Sequence, residues 1–344
     1  MAGRRFAGHR RGAVRHVGAG AGTGKELWLL FYRMTNKQCY VTFLMGLLTA
    51  LYSCRRAGPL PEKLWQAPDT AMIPHTAEGD RIRYGRSLIA HTARYLGPQG
   101  SVAQISNGMN CQNCHLDAGT KPWGNNYGST ASTYPKFRAR SGTVESIAKK
   151  VNDCFVRSLN GATLDSNSPE LQAIIAYIQW LGKDLPKGYK TPGSGIRELP
   201  YLPVAADTVK GEAVFLQQCQ RCHGADGYGE RPAGATEYRY PPLWGPGSYN
   251  TGAGLYRLSR FAGYVKYNMP LGVDDQHPLL SDEDAWNVAA FVNSQPRPAK
   301  AFPADWPDIR TKPPDHPFGP FSDTFPAVQH KYGPFGPIAR HHKK

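Results

Sequence analysis

No apolar run in this 344-residue chain is long enough to span a bilayer comfortably. The longest, residues 39–51, follows Lys37 and has the length of a signal-peptide apolar core, so the N-terminus reads as an export leader. Leu51-Tyr52-Ser53-Cys54 resembles a lipobox with an unusual Tyr52, which makes Cys54 a candidate lipid anchor and the sole membrane attachment to expect. The Arg/Gly/Ala-rich stretch before Met34 has no place in such a leader, so Met34 is the expected start. Residues 18–25 fail as a phosphate loop, because Ala19 stands where a Gly is required and Glu26 follows the Lys. A clustered basic face is also missing. Residues 1–53 hold eight Lys/Arg and one Glu, so seven of the fifteen formal positive charges sit in the leader and eight are scattered over the rest. That excludes a nucleic-acid module, although a modest positive surplus can steer small anions.

Glycine and proline are abundant, at 37 and 29 residues, which demands much turn and loop. The cysteines are few and informative. Cys39 and Cys54 belong to the leader, and four of the other five form Cys111-Gln-Asn-Cys114-His115 and Cys219-Gln-Arg-Cys222-His223. Two thiols at this spacing can add to the two vinyl groups of one haem, while the adjacent His reaches the iron from one face. Two such motifs in an exported chain disfavour a redox Cys pair or a zinc site. They call for two covalently attached haem c groups, on His115 and His223.

Each motif sits in a similar frame. A segment containing Asp80 and Gly85 precedes the first, and one containing Asp207 and Gly211 precedes the second. After each motif comes an amphipathic segment with helix-start signals, Ser168-Pro169 in one copy and Ser281-x-x-Asp284 in the other. The expected fold is therefore mainly α, with two tandem cytochrome c domains and a long irregular C-terminal strap. The expected divisions are a leader at 1–54, a first haem domain at 55–183, a linker at 184–206, a second haem domain at 207–298 and a Pro-rich tail at 299–344. The tail aromatics, among them Trp306, Phe318 and Phe335, favour a strap laid over both domains.

The second ligand of each iron sets its chemistry. Downstream of His223 the one methionine is Met269, in Asn268-Met269-Pro270, where small cytochromes c carry their axial Met. The first copy lacks this option: no Met or His occurs between His115 and His223. The matching slot holds Asn152-Asp153-Cys154, so Cys154 is the ligand left by elimination, with a buried structural thiol as the alternative. A thiolate-ligated, low-potential haem beside a Met-ligated, high-potential one suits a catalyst whose second site exports electrons.

On these residues the chain resembles the dihaem thiosulfate dehydrogenases, the tetrathionate-forming family. The segments that carry the likeness are 111–119, 134–142, 152–161, 266–272 and 289–297, together with Gln329-His-Lys-Tyr-Gly-Pro-Phe335. Asn152-x-Cys154-x-x-Arg157-Ser158-x-x-Gly161, around the unusual ligand, is the most specific. The resemblance implies a periplasmic enzyme that joins two thiosulfates into tetrathionate, with Cys154 as ligand and catalytic centre. It implies Arg138, Arg140 and Arg157 as clamps for the dianion, Arg140 matching a family substrate-binding arginine best. It also makes Lys266 an alternative to Met269 as ligand, with Asn268 beside it, and it implies a soluble or membrane cytochrome as electron acceptor. The family contains members that work better as tetrathionate reductases, so direction stays open. Two rivals remain: a dihaem electron carrier without its own substrate, and another Cys-ligated cytochrome of sulfur oxidation. A dihaem peroxidase would need an interdomain Ca-binding loop, which the sequence does not show.

Overall fold

A computed structural model describes residues 63–343. The expected leader, Met34 and Cys54 lie outside the described residues. Among the described residues the regular elements are helices, apart from one two-stranded hairpin, β1 (Lys136–Arg138) against β2 (Thr143–Glu145), and an isolated bridge between Glu230 and Tyr240.

Each haem motif follows a helix and precedes a closing helix that crosses that helix. In the first bundle α1 (Ala77–Ala90) starts at Thr76, whose hydroxyl accepts from Gly79 N. Next comes α2 (Ile147–Arg157), capped by Ser146, and then α3 (Pro169–Leu181), with Ser168 as cap and Pro169 at its first position. In the second, α4 (Thr208–Gln218) is capped by Asp207, which accepts from Val209 N and Lys210 N. It leads to α5 (Leu258–Asn268) and α6 (Asp282–Ser294), the latter capped by Ser281. These caps satisfy backbone donors that the first helical turn leaves unpaired.

The two crossings use the same device. A Cβ on Gly85 of α1 would lie 1.9 Å from Ala173 O of α3, and one on Gly211 of α4 would lie 2.0 Å from Asn287 O of α6. Helix backbones this close leave no room for a methyl group. Gly211→Ala is therefore expected to cost about 1–3 kcal/mol through overpacking. Denaturant unfolding of the haem-loaded protein measures this, and an unchanged midpoint would show that the crossing can widen freely.

Residues 184–206 do more than connect. Trp123 N and Asn125 N donate to Gly193 O and Gly195 O at 2.7 and 2.8 Å, and Trp286 Nε1 donates to Pro200 O at 3.1 Å. The tail is anchored on both bundles, but its end is less irregular than expected. It forms α7 (Ala327–Tyr332) and α8 (Phe335–His341). Phe335, 2% exposed, packs on Trp286 and Tyr201.

Candidate functional site

Cys111 and Cys114 bracket a single 3-10 turn, Cys111–Asn113, which holds the two thiols and His115 on one short arc. Thr92 fixes the arc by accepting from Cys111 N at 2.9 Å. Desolvation pushes the Cys111 and Cys114 thiols up to about 12, so both sit in a water-poor setting. His115 is buried and stacked on Tyr127, 4.4 Å between centroids. Burial, reinforced by Lys150, lowers its pKa to about 4 even though Asn125 O accepts from Nδ1 at 2.5 Å. The ring is thus neutral, oriented through Nδ1, and left with Nε2 as a donor to a metal.

Cys154 lies in α2, and it shares a cavity of about 1260 Å³ with Cys114 and His115. That cavity continues into an apolar recess lined by Cys111, Cys154, Phe155, Ile174 and Ile178. Paired thiols, a neutral imidazole, a third sulfur and apolar walls around so large a space match what a covalently attached haem requires. The residues fit the group. Cys111 and Cys114 would carry its thioethers, and His115 and Cys154 would hold its iron.

The cations expected around Cys154 are placed unequally. Arg138, Arg140 and Arg157 all line the large cavity. Arg138 ends β1, with Nε 4.0 Å from the buried Glu145 carboxylate across the hairpin. Arg140, in the hairpin turn, donates to Asp153 at 2.8 Å. Arg157 departs from the expectation of a free clamp. Both its terminal nitrogens donate to Asp305 of the tail at 2.7 Å, and its plane lies 3.7 Å over the Phe302 ring. A guanidinium this buried needs a carboxylate partner, and the tail provides one.

Sequence reasoning missed Lys150. It lines both the cavity and the recess, and its ammonium pKa is lowered by burial and by Arg138 and Arg140, against the opposing pull of Cys154. The signal was present: Lys150 stands four residues before Cys154, which puts both on one helix face. Also unforeseen were Asp305 and Trp306, which build a wall of the cavity from the far end of the chain.

In the second bundle, Cys219 stands at the N-terminus of the short helix Gln220–His223 and Cys222 lies within it. His223 Nδ1 lies 2.8 Å from Pro241 O, the same orienting contact as in the first bundle, and burial lowers the ring's pKa. Met269 caps the C-terminus of α5 and packs on the core. This donor set also fits a haem. Lys266, the expected alternative ligand, is instead paired with Asp282 at the start of α6. Asn268 is fully buried and donates to Tyr264 O and to Trp123 O of the first bundle, at 3.0 and 3.2 Å. Tyr264 Oη donates to Asn113 O, inside the first haem motif, at 2.9 Å. The helix leading to Met269 therefore rests directly on the first haem-binding turn.

Comparison with known proteins agrees with this arrangement. Residues 101–186 match the family described as SoxA/TsdA, cytochrome c domain, and residues 208–296 match cytochrome c. The chain is 37% identical over 237 residues to the thiosulfate dehydrogenase of Stutzerimonas stutzeri, covering 69% of this chain and 74% of that one. It is 40% identical over 235 residues to that of Allochromatium vinosum, covering 67% and 83%. A solved structure of thiosulfate dehydrogenase (TsdBA) from Marichromatium purpuratum superposes with a TM-score of 0.63 at 31% identity, over 68% of this chain and half of that one. The chain belongs to the thiosulfate dehydrogenase family of c-type cytochromes, and its two cytochrome c domains carry two covalently bound haem c groups.

Proposed function

We propose that this chain oxidises thiosulfate to tetrathionate in the Cys154 cavity and delivers the electrons through its second bundle to an external cytochrome. The reaction is 2 S2O3(2−) → S4O6(2−) + 2 e−: one S–S bond forms and no proton moves. The haem groups, when bound, supply the one-electron redox chemistry that this balance requires. The obstacle left to the protein is Coulombic, because two dianions must approach to bonding distance. Arg138, Arg140 and Lys150 surround the space beside Cys154 and offset that repulsion. The contacts of Tyr264 with Asn113 and of Asn268 with Trp123 hold the second bundle against the first, so that electrons have a short way out.

The observation that carries this reading is the convergence of His115, Cys154 and these cations on one cavity. In it, 55–183 is the catalytic unit and 207–298 the exit unit. Its setting is the periplasm, with the leader and the covalent haem motifs as support. Among the described residues no helix is long and apolar enough to cross a membrane.

The test is thiosulfate with ferricyanide as sole acceptor, tetrathionate being quantified with the haem-loaded protein. Turnover without any partner protein is expected. If no tetrathionate forms, the proposal fails.

A further inference from the structure

Arg157 stands three residues after Cys154 on α2, so the two share a helix face. Its charge is nevertheless not offered to the cavity it lines. Asp305 Oδ1 and Oδ2 each accept a 2.7 Å bond from it, and Phe302 covers its plane. The first bundle does not provide this carboxylate, for Asp153 is already bonded to Arg140 and Lys149. It comes instead from a position 148 residues away, in the tail. The next residue, Trp306, donates its backbone N–H to Arg140 O at 2.6 Å, and holds a positive φ of 61° to do so. Positive φ is costly for a bulky side chain and persists where the surroundings enforce it. The Asp305-Trp306 pair thus grips two of the arginines that share the cavity with Cys154, one by its charge and one by its backbone.

We propose that Asp305 is a positioning residue for the substrate anion: it fixes Arg157 in place and cancels its charge, so that the anion is held by the other cations of the cavity. This rests on the reading that the cavity takes thiosulfate. Eight cationic and three acidic side chains line the cavity, and Asp305 is the one acidic member contributed by the tail. Two thiosulfates bring four negative charges and tetrathionate leaves with two. A site with every cation exposed would retain the product as firmly as it gathers the substrate. Cancelling Arg157 keeps the guanidinium as a rigid wall of the site while trimming its attraction for dianions.

The experiment uses the haem-loaded full chain and Asp305→Asn, which keeps the shape and removes the charge. Calorimetric titration with sulfate, a dianion that undergoes no redox step here, reads the affinity. Sulfate is expected to bind roughly fivefold or more tightly in the variant at low ionic strength, the gain shrinking as salt screens it. The KM for thiosulfate is expected to fall in parallel without a rise in kcat. Asp305→Glu, which keeps the charge, should stay near the wild type. Adding Arg157→Gln to Asp305→Asn should return sulfate affinity to the wild-type value, because the uncovered charge is gone. Sulfate affinity that is unchanged or weakened in Asp305→Asn overturns the positioning role. That outcome is separable from failure of the functional reading, which is absence of thiosulfate turnover in the wild type.

Discussion

Replacing Cys154 by glycine is expected to abolish tetrathionate formation while both haems stay attached. Cys111 and Cys114 would carry the thioethers and His115 would hold the iron, and the substitution touches none of them. The helix should also survive. Cys154 O accepts from Ser158 N and Leu159 N at 2.8 and 3.0 Å through its backbone, and glycine in a helix interior costs about 1 kcal/mol. What disappears is the sulfur that shares the cavity with His115. Losing a group that merely orients a metal ligand costs roughly 10- to 100-fold, so losing the donor itself should exceed about a hundredfold. The readout is tetrathionate formed per haem, with the mass confirming two haems per chain and the visible spectrum of the first haem altered. Unchanged turnover would reduce Cys154 to a structural thiol and remove the basis for the mechanism.

The second large effect concerns stability. Asp315 is buried in the tail, and four donors satisfy its carboxylate. Arg257 Nε and Nη2 donate to Oδ1 at 2.9 and 2.6 Å, and Ser259 N and Oγ donate to Oδ2 at 3.0 and 2.5 Å. Ser259 lies in the first turn of α5, so the carboxylate also meets the positive end of that helix. The tail thereby pins the helix that ends at Met269. Asp315→Ala leaves Arg257 and the helix start without their partner, and should cost about 3–5 kcal/mol by denaturant unfolding at neutral pH. Burial alone would raise this carboxyl's pKa, but Arg257 and Ser259 more than reverse that and hold it below the usual range. Its contribution is therefore fully present above the ordinary carboxylate pKa of about 4, and is lost as pH falls from there through the lowered folded value. The wild type should consequently lose stability on acidification below about pH 4 more steeply than the variant does. Equal loss in both would show that the carboxylate is not held in its charged form.

Much of this protein was legible before any fold was known. A haem attachment motif needs two thiols and an imidazole within five consecutive residues, so it must be written contiguously. Capping is just as local, and Ser168 and Ser281 mark the starts of α3 and α6 where the structure begins them. Gly85 and Gly211 stood at matching places in the two copies, but their reason, a backbone oxygen within 2 Å of where a Cβ would sit, belongs to the crossing helices. The tail was harder to read. Its proline density hid α7 and α8, which are too short to show a period and bury His330 in the first and Phe335 and Ile338 in the second.

The sequence by itself determined the cofactor class, the number of haems, the tandem plan and the position of Cys154, because covalent attachment, capping and helical periodicity act between near neighbours along the chain. The tertiary structure decided which charges around Cys154 stay available. Arg157 and Asp305 pair across 148 residues, Arg257 and Asp315 across 58, and Lys266 turns to Asp282 instead of towards Met269's place. A charged side chain's role depends on which opposite charge folding brings within about 3 Å and how much water it removes, and neither quantity is encoded locally.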